Sequence, residues 1–345
     1  MTCWCSIVPA DVLKRFSQDK SLSDAVRKAF ADAAEFEAHW RELRMLQMKS
    51  QRFALQSFSA DTVQLLAAEP AVTVYDCGKG TVLPGSPVPN PGTSAGRTAT
   101  RVFAETAAVA EFYRTIFGRN SVDNRGGTLQ SSVQYGVGYN NAFWNGVQMI
   151  YGDGDGAIFA DFAQSTDVIA HELTHGVTQY SAQLCYTDDA GGLNESISDV
   201  FGSMFRQWRA GQTVADADWL IGHDILGPSA VARGFTCLRD MANPAAEHCM
   251  ARQPDQYSKI GPGMDPHYTS GVPNRAFYEA AMAIGGKSWE TVGQIWYRAL
   301  TGFAPDPNLG MSAFAARTRR LAQSMFPRDA SVYAAVNEAW VNVGL

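Results

Sequence analysis

At 345 residues the chain exceeds the usual size of a single domain, and its 46% hydrophobic content can fill sizeable cores. A net charge of −6 excludes the basic field that nucleic-acid binding requires. No apolar stretch reaches the roughly 20 residues needed for a membrane-spanning helix.

Residues 1–9 read MTCWCSIVP, with no basic n-region and no long apolar h-region. They are not read as a secretory signal, so the expectation is a cytoplasmic location at synthesis, with any secretion by a non-classical route. Residues 20–50 read as a helix rich in Ala, Glu, Arg and Lys. Residues 53 to 165 are rich in Val, Tyr, Thr, Gly and Pro, and the alternation at 130–139 predicts strand. Within them, 85–96 reads as loop and 105–117 has helical spacing. From Asp167 onward the predicted helices are 167–180, 194–210, 272–285, 288–302, 311–325 and 330–342.

The helix predicted at 167–180 contains His171-Glu172-Leu173-Thr174-His175. Residues i and i+4 share a helix face, so two imidazoles can converge on one metal ion. Val168, Ile169, Leu173 and Val177 supply the apolar face, and Asp167 sits in the first turn, where the dipole favours a negative charge. A catalytic zinc takes three protein ligands and keeps the fourth position for water. Glu195, twenty residues beyond His175, is the candidate third ligand. The pair Gly191-Gly192 marks a turn before it. Asp199 follows on the same face and is placed to orient a ligating histidine, work that Asn194 could share.

At this point the chain resembles the thermolysin-type (M4) zinc metalloproteases. Tyr139-Asn140-Asn141-Ala142-Phe143-Trp144-Asn145-Gly146 is similar to the family's substrate-backbone edge, and Met149-Ile150-Tyr151-Gly152-Asp153-Gly154-Asp155-Gly156 follows it as there. The likeness runs over roughly residues 70–345. It implies an α+β, two-lobed fold: a β-rich N-terminal lobe, a mainly α-helical C-terminal lobe, and the zinc site on the central helix between them. His171, His175 and Glu195 would bind one catalytic zinc, with Asn194 and Asp199 behind them. Glu172 would be the general base on the zinc-bound water. Tyr186 and His267 match the family's oxyanion donors, while Asn141, Ala142 and Arg239 match groups that hold the peptide backbone. Phe159, Phe162, Val168, Ile221 and Leu238 align with the pocket after the scissile bond, which implies cleavage on the amino side of hydrophobic residues.

Two departures stand out. Pro262 occupies the place of the carboxylate that holds the donor histidine in the family, leaving Asp265 as its substitute. Of the family's paired calcium ligands only Asp167 and Asp218 match, and Arg206, Leu220 and His223 fill the other places. The double calcium site is therefore predicted absent, with Arg206 paired to Asp167 or Asp218.

Ile7-Val8-Pro9-Ala10-Asp11-Val12-Leu13 resembles the short propeptide of the protealysin-like subgroup, although Ala10 replaces a proline usual there. This implies a zymogen: residues 1–50 an inhibitory propeptide removed on maturation, near 49–53; 51–166 the β-rich lobe; 167–345 the helical lobe. The partners implied are peptide and protein substrates and the chain's own propeptide, in a monomer. Without export the six cysteines would stay reduced. Cys77 and Cys185 read as small buried hydrophobes. Cys237 and Cys249 would bridge only in an oxidising space, and a thiolate from Cys3 or Cys5 could close the open metal position. The competing readings are an aminopeptidase or amidase using the same zinc apparatus, and a binding protein on a protease scaffold.

Overall fold

The computed structural model describes residues 5–51, 69–93 and 96–345, without the side chains of 40–51. Cys3 and Phe53, the latter the far end of the expected processing boundary, lie outside the described residues. The amino-terminal segment forms a short strand, β1 (Cys5–Ser6), then α1 (Ala10–Ser17) and α2 (Asp24–Gln51), the helix expected at 20–50. Pro9, extended at φ −61° and ψ 145°, stands at the N-cap and admits the helix. Val12, Leu13 and Phe16 then bury one helical face.

The β-rich lobe contains β2 (Val72–Asp76), β3 (Ser86–Pro87), α3 (Arg97–Phe117), β4 (Leu129–Val133), β5 (Ala142–Trp144) and β6 (Met149–Tyr151). The sheet order is β1-β5-β6-β4-β2-β3, parallel where β4 meets β2 and β6, and antiparallel elsewhere. Without β1 the edge would be β5, a row of backbone groups open to an added strand. β1 fills that edge, with Cys5 opposite Trp144 and Ser6 opposite Phe143.

The helical lobe runs through α4 (Thr166–Gln179), α5 (Asp188–Ala210), β7 (Leu220–Ile221), α6 (Pro228–Ala232), β8 (Arg239–Asp240), α7 (Pro266–Thr269), α8 (Gly271–Ile284), α9 (Val292–Thr301), α10 (Met311–Met325) and α11 (Ala330–Asn342). Its far core centres on Trp296 and Trp340, stacked at 5.9 Å. The two-lobed α+β fold is as expected, with α4 buried between the lobes.

The side chains of α4 and α5 meet in antiparallel order. Asp167 lies by Gly202, His171 by Asp199, and His175 by Asn194. Gly202 permits the approach, because a Cβ there would stand 2.8 Å from the Asp167 carbonyl oxygen. One local expectation fails. Gly191 and Gly192 do not form a turn; α5 begins at Asp188 and contains both. They are glycines because α7 packs on them: added Cβ atoms would lie 2.7 Å from Pro266 Cγ and 2.3 Å from Thr269 Oγ1. Close packing, not backbone reversal, selects the residue type.

Candidate metal and active centre

The turn of α4 between His171 and His175 brings their Nε2 atoms to 3.1 Å. Glu195, from α5, faces both: its two oxygens each lie 3.5 Å from one ring nitrogen. All three side chains are fully buried. Behind them His171 Nδ1 meets Asp199 Oδ1 at 2.9 Å, and His175 Nδ1 meets Asn194 Oδ1 at 2.9 Å. Those oxygens only accept, so each Nδ1 donates and each Nε2 of a neutral ring carries a lone pair. Two lone pairs 3.1 Å apart repel unless a cation stands between them.

Burial opposes charge on both rings, but Asp199 and Glu195 raise His171 to about 10, whereas burial lowers His175 to about 3. The two rings are thus pushed in opposite directions, His171 towards its charged form and His175 away from it. Glu195 is lowered to about 2: burial disfavours its charge, but His267, His175 and His171 outweigh that. Its Oε2 has no hydrogen-bond partner among the described residues. Metal–ligand arms of about 2.0–2.1 Å in a tetrahedron leave edges of about 3.3–3.4 Å. The observed separations, 3.1 Å between the rings and 3.5 Å from each ring to a different Glu195 oxygen, are of the size zinc needs.

Glu172 sits next to these ligands on α4, fully buried, with no side-chain hydrogen-bond partner for either oxygen among the described residues. Burial raises its carboxyl well above the ordinary range. Tyr186 donates to Glu195 Oε1 at 2.6 Å and stands 3.1 Å from His267 Nε2. His267 Nδ1 lies 2.6 Å from Asp265 Oδ1. Asp265 thus takes the part left open by Pro262; it also caps α7 by accepting from the His267 backbone N–H. Burial lowers the His267 pKa, but Glu195 and Asp265 raise it further, so the net shift is upward.

Asp199 is held by more than His171. Arg239 donates to both its oxygens, at 2.8 and 2.7 Å, and Asn274 donates to Oδ2 at 2.9 Å. Ser198 Oγ lies 3.0 Å from His175 Nδ1. The sequence reading missed Ser198 and Asn274. Ser198 was findable, one residue before Asp199 on the same helix; Asn274, 75 residues away on α8, carried no local signal.

Residues 6–8 lie along the β5 edge. Ile7 N–H donates to the Ala142 carbonyl at 3.1 Å, and Val8 N–H to Asn141 Oδ1 at 2.9 Å. Asn141 Nδ2 donates to the Val8 carbonyl at 3.2 Å, and Arg239 Nη1 to the Ile7 carbonyl at 2.8 Å. The Ser6 carbonyl accepts from His267 Nε2 at 2.5 Å. Phe159, Phe162, Val168, Ile221 and Leu238 are all buried; Phe159 packs on Phe162 at 5.2 Å, with Phe30 of α2 against Phe159 at 6.0 Å.

Arg206 pairs with Asp218 at 2.9 Å and reaches the Leu220 carbonyl at 3.1 Å. Asp167 instead accepts from the Val168 and Gly222 backbone, each at 2.8 Å. Cys237 and Cys249 are free thiols with sulfurs 3.8 Å apart. Cys185 is buried as expected, whereas Cys77 is half-buried and donates to the Pro84 carbonyl.

A buried donor set of this kind between a sheet lobe and a helical lobe defines a zinc peptidase. Family models described as thermolysin metallopeptidase, catalytic domain, and thermolysin metallopeptidase, alpha-helical domain, match residues 41–179 and 182–345. An extracellular metalloprotease of Pectobacterium carotovorum subsp. carotovorum is 35% identical, covering 99% of this chain and 96% of that protein. Protease PrtS of Photorhabdus sp. (strain Az29) is 34% identical over 79% of this chain and 76% of its own length. The solved precursor of protealysin, a metalloproteinase from Serratia proteamaculans, superposes with a TM-score of 0.83 at 34% identity, covering 99% of both chains. The chain belongs to the thermolysin metallopeptidase family and is a zinc-dependent neutral endopeptidase made as a zymogen.

The expectation of a cytoplasmic enzyme leaving by a non-classical route is corrected: the relatives, among them the extracellular protease of Pectobacterium, point to secretion. Of the residues weighed for signal character, Cys5 and Ser6 form β1 on the sheet edge.

Proposed function

We propose that His171, His175 and Glu195 hold the zinc, that Glu172 is the general base, and that residues 1–50 form an inhibitory segment removed on maturation. Zinc, when bound, polarises the substrate carbonyl and lowers the pKa of a water. Glu172 accepts that water's proton and passes it to the leaving nitrogen. Its raised pKa suits a group that must hold a proton between those two events. Tyr186 and His267 donate to the developing oxyanion. His267 faces acceptors with both ring nitrogens, Asp265 and the Ser6 carbonyl, which favours the doubly protonated ring.

The observation that carries this reading is the bonding of residues 6–8. An extended peptide on the β5 edge, with successive carbonyls on His267 and Arg239, is how a substrate would lie. The buried Phe159, Phe162, Val168, Ile221 and Leu238 then form an apolar pocket for the residue after the scissile bond. Chain continues on both sides of that bond, which favours an endopeptidase over an aminopeptidase. The Arg206 ion pair with Asp218 supports a fold that needs no paired calcium site.

The test is zinc content and cleavage of a blocked peptide by wild type and Glu172→Gln, before and after removal of the N-terminal segment. The reading requires one zinc in both, and activity only in processed wild type. Undiminished cleavage by processed Glu172→Gln would overturn it.

A further inference from the structure

The inhibitory segment is bound as a substrate, and this raises a chemical question. The Ser6 carbonyl accepts from His267, while the next residue gives its N–H to Ala142 and its carbonyl to Arg239. The peptide bond between Ser6 and Ile7 thus occupies the place of a scissile bond, with an apolar residue on its far side. Binding in this register does not inhibit by itself; a bond so held should be cut. Something must keep the attacking water away.

Cys5 is the residue placed to do so. Its side chain is fully buried. Its sulfur, a ring nitrogen of His175 and an oxygen of Glu195 all lie within 4.8 Å of one another; His171 is outside that group, so the sulfur must turn towards His171 to share its ion. Glu195 Oε2, without a hydrogen-bond partner among the described residues, is a second sign that a ligand belongs there. Zinc with three protein ligands is open to water; a thiolate as the fourth makes the closed set typical of structural sites.

We propose that the reduced Cys5 sulfur takes the fourth position on the zinc, and so protects the bond between Ser6 and Ile7. The inference rests on the zinc site described above. In this structure Cys5 is in a disulfide, and a disulfide sulfur has no negative charge to offer the metal. The latch is therefore redox-gated. A dithiol reduces the bridge by exchange, becoming a cyclic disulfide and leaving two protein thiols. The Cys5 thiol then gives up its proton as it ligates. Exchange with an oxidised disulfide, itself reduced to two thiols, re-forms the bridge and withdraws the ligand.

The test uses the full-length precursor, reduced with a dithiol, freed of it by gel filtration, and loaded with cobalt(II) in place of zinc. The expected result is one cobalt per chain and a sulfur-to-cobalt charge-transfer band, lost in Cys5→Ser and in the oxidised precursor. Stoichiometric cobalt without that band in reduced wild type overturns the latch. Cobalt below one per chain overturns the metal site itself, and the latch with it. A second readout is intact mass on the zinc-loaded proteins. Cys5→Ser and Cys5→Ala should give a chain beginning at Ile7, at least about tenfold faster than reduced wild type. Cys5 variants that stay whole while the processed enzyme cuts an added peptide would also refute the proposal.

Discussion

Asp265 holds His267 twice, accepting from its backbone N–H at 3.0 Å and from its Nδ1 at 2.6 Å. One carboxylate thus starts α7 and fixes the imidazole whose other nitrogen faces the cleft. Removing an oxyanion donor costs roughly 10²–10³ in rate, so His267→Ala in the processed enzyme should lose about that much kcat/KM on a blocked peptide. Asp265→Ala should lose less, roughly tenfold, because the donor remains but is no longer aimed. An Asp265→Ala enzyme with wild-type kcat/KM would show that His267 needs no such support.

Asp199 joins the metal site to the peptide-binding edge. It accepts from His171, from Arg239 twice and from Asn274, and Arg239 in turn donates to the Ile7 carbonyl. Burial alone would raise the Asp199 pKa, but Arg239 and His171 hold it well below the usual range. A group so depressed contributes stability above its unfolded value of about 3.9, and loses it as pH falls through the folded value. Asp199→Asn leaves Arg239 buried without its counter-charge, which costs about 3–5 kcal/mol in comparable pairs. It should also weaken zinc by roughly 10–100-fold. Urea unfolding at pH 7 and zinc competition check the two effects separately.

His171 gives zinc binding its pH dependence. Its pKa is raised to about 10, by Asp199 and Glu195 acting against burial, so the metal-free site holds a proton there at neutral pH. Zinc must displace it. Affinity should therefore rise about tenfold per pH unit between pH 7 and 9. In the metal-free protein the sign is opposite: a raised pKa stabilises fully below about 6.5 and is lost as pH rises towards 10. Competition titrations at pH 7, 8 and 9 measure the slope, and a flat response would exclude a displaced proton.

The parts of this centre legible in the sequence were those set by helical periodicity. His171 with His175, and Glu195 with Asp199, are each four apart, so geometry followed from spacing. Asp265 was legible because it lies two residues from His267. Asn274 reaches Asp199 through tertiary packing alone. Gly191 and Gly192 misled because glycine signals a turn and a close helix contact alike, and only the α7 contact decides between them. β1 pairs through two residues, too short for any alternation to show.

Arg206 bears on calcium. Its guanidinium lies between Asp218 and the Leu220 carbonyl, 2.9 and 3.1 Å away, where a cation already satisfies the oxygens. A calcium chelator that spares zinc should leave Tm unchanged in the zinc-loaded protein. Arg206→Ala should cost no more than about 1 kcal/mol, because the pair is partly exposed. A chelator-induced fall of many degrees would mean that calcium binds elsewhere in the fold.

Gly191 connects packing to catalysis. An added Cβ would stand 2.9 Å from the Tyr186 carbonyl carbon and 2.7 Å from Pro266 Cγ. One is backbone and the other a ring, so neither can swing aside as a flexible side chain would. Tyr186 and the neighbour of Pro266, His267, are the two proposed oxyanion donors, and their polar atoms lie 3.1 Å apart. Gly191→Ala should therefore cost about 1–3 kcal/mol, as overpacking does, and should also push both donors out of place. Zinc content should remain at one per chain, since Asn194 and Glu195 lie a full turn further along α5 from the clash. A lower kcat with KM little changed is the expected signature, because oxyanion donors act mainly in the transition state. A variant that loses stability but keeps full kcat would show that the donors tolerate movement of α7.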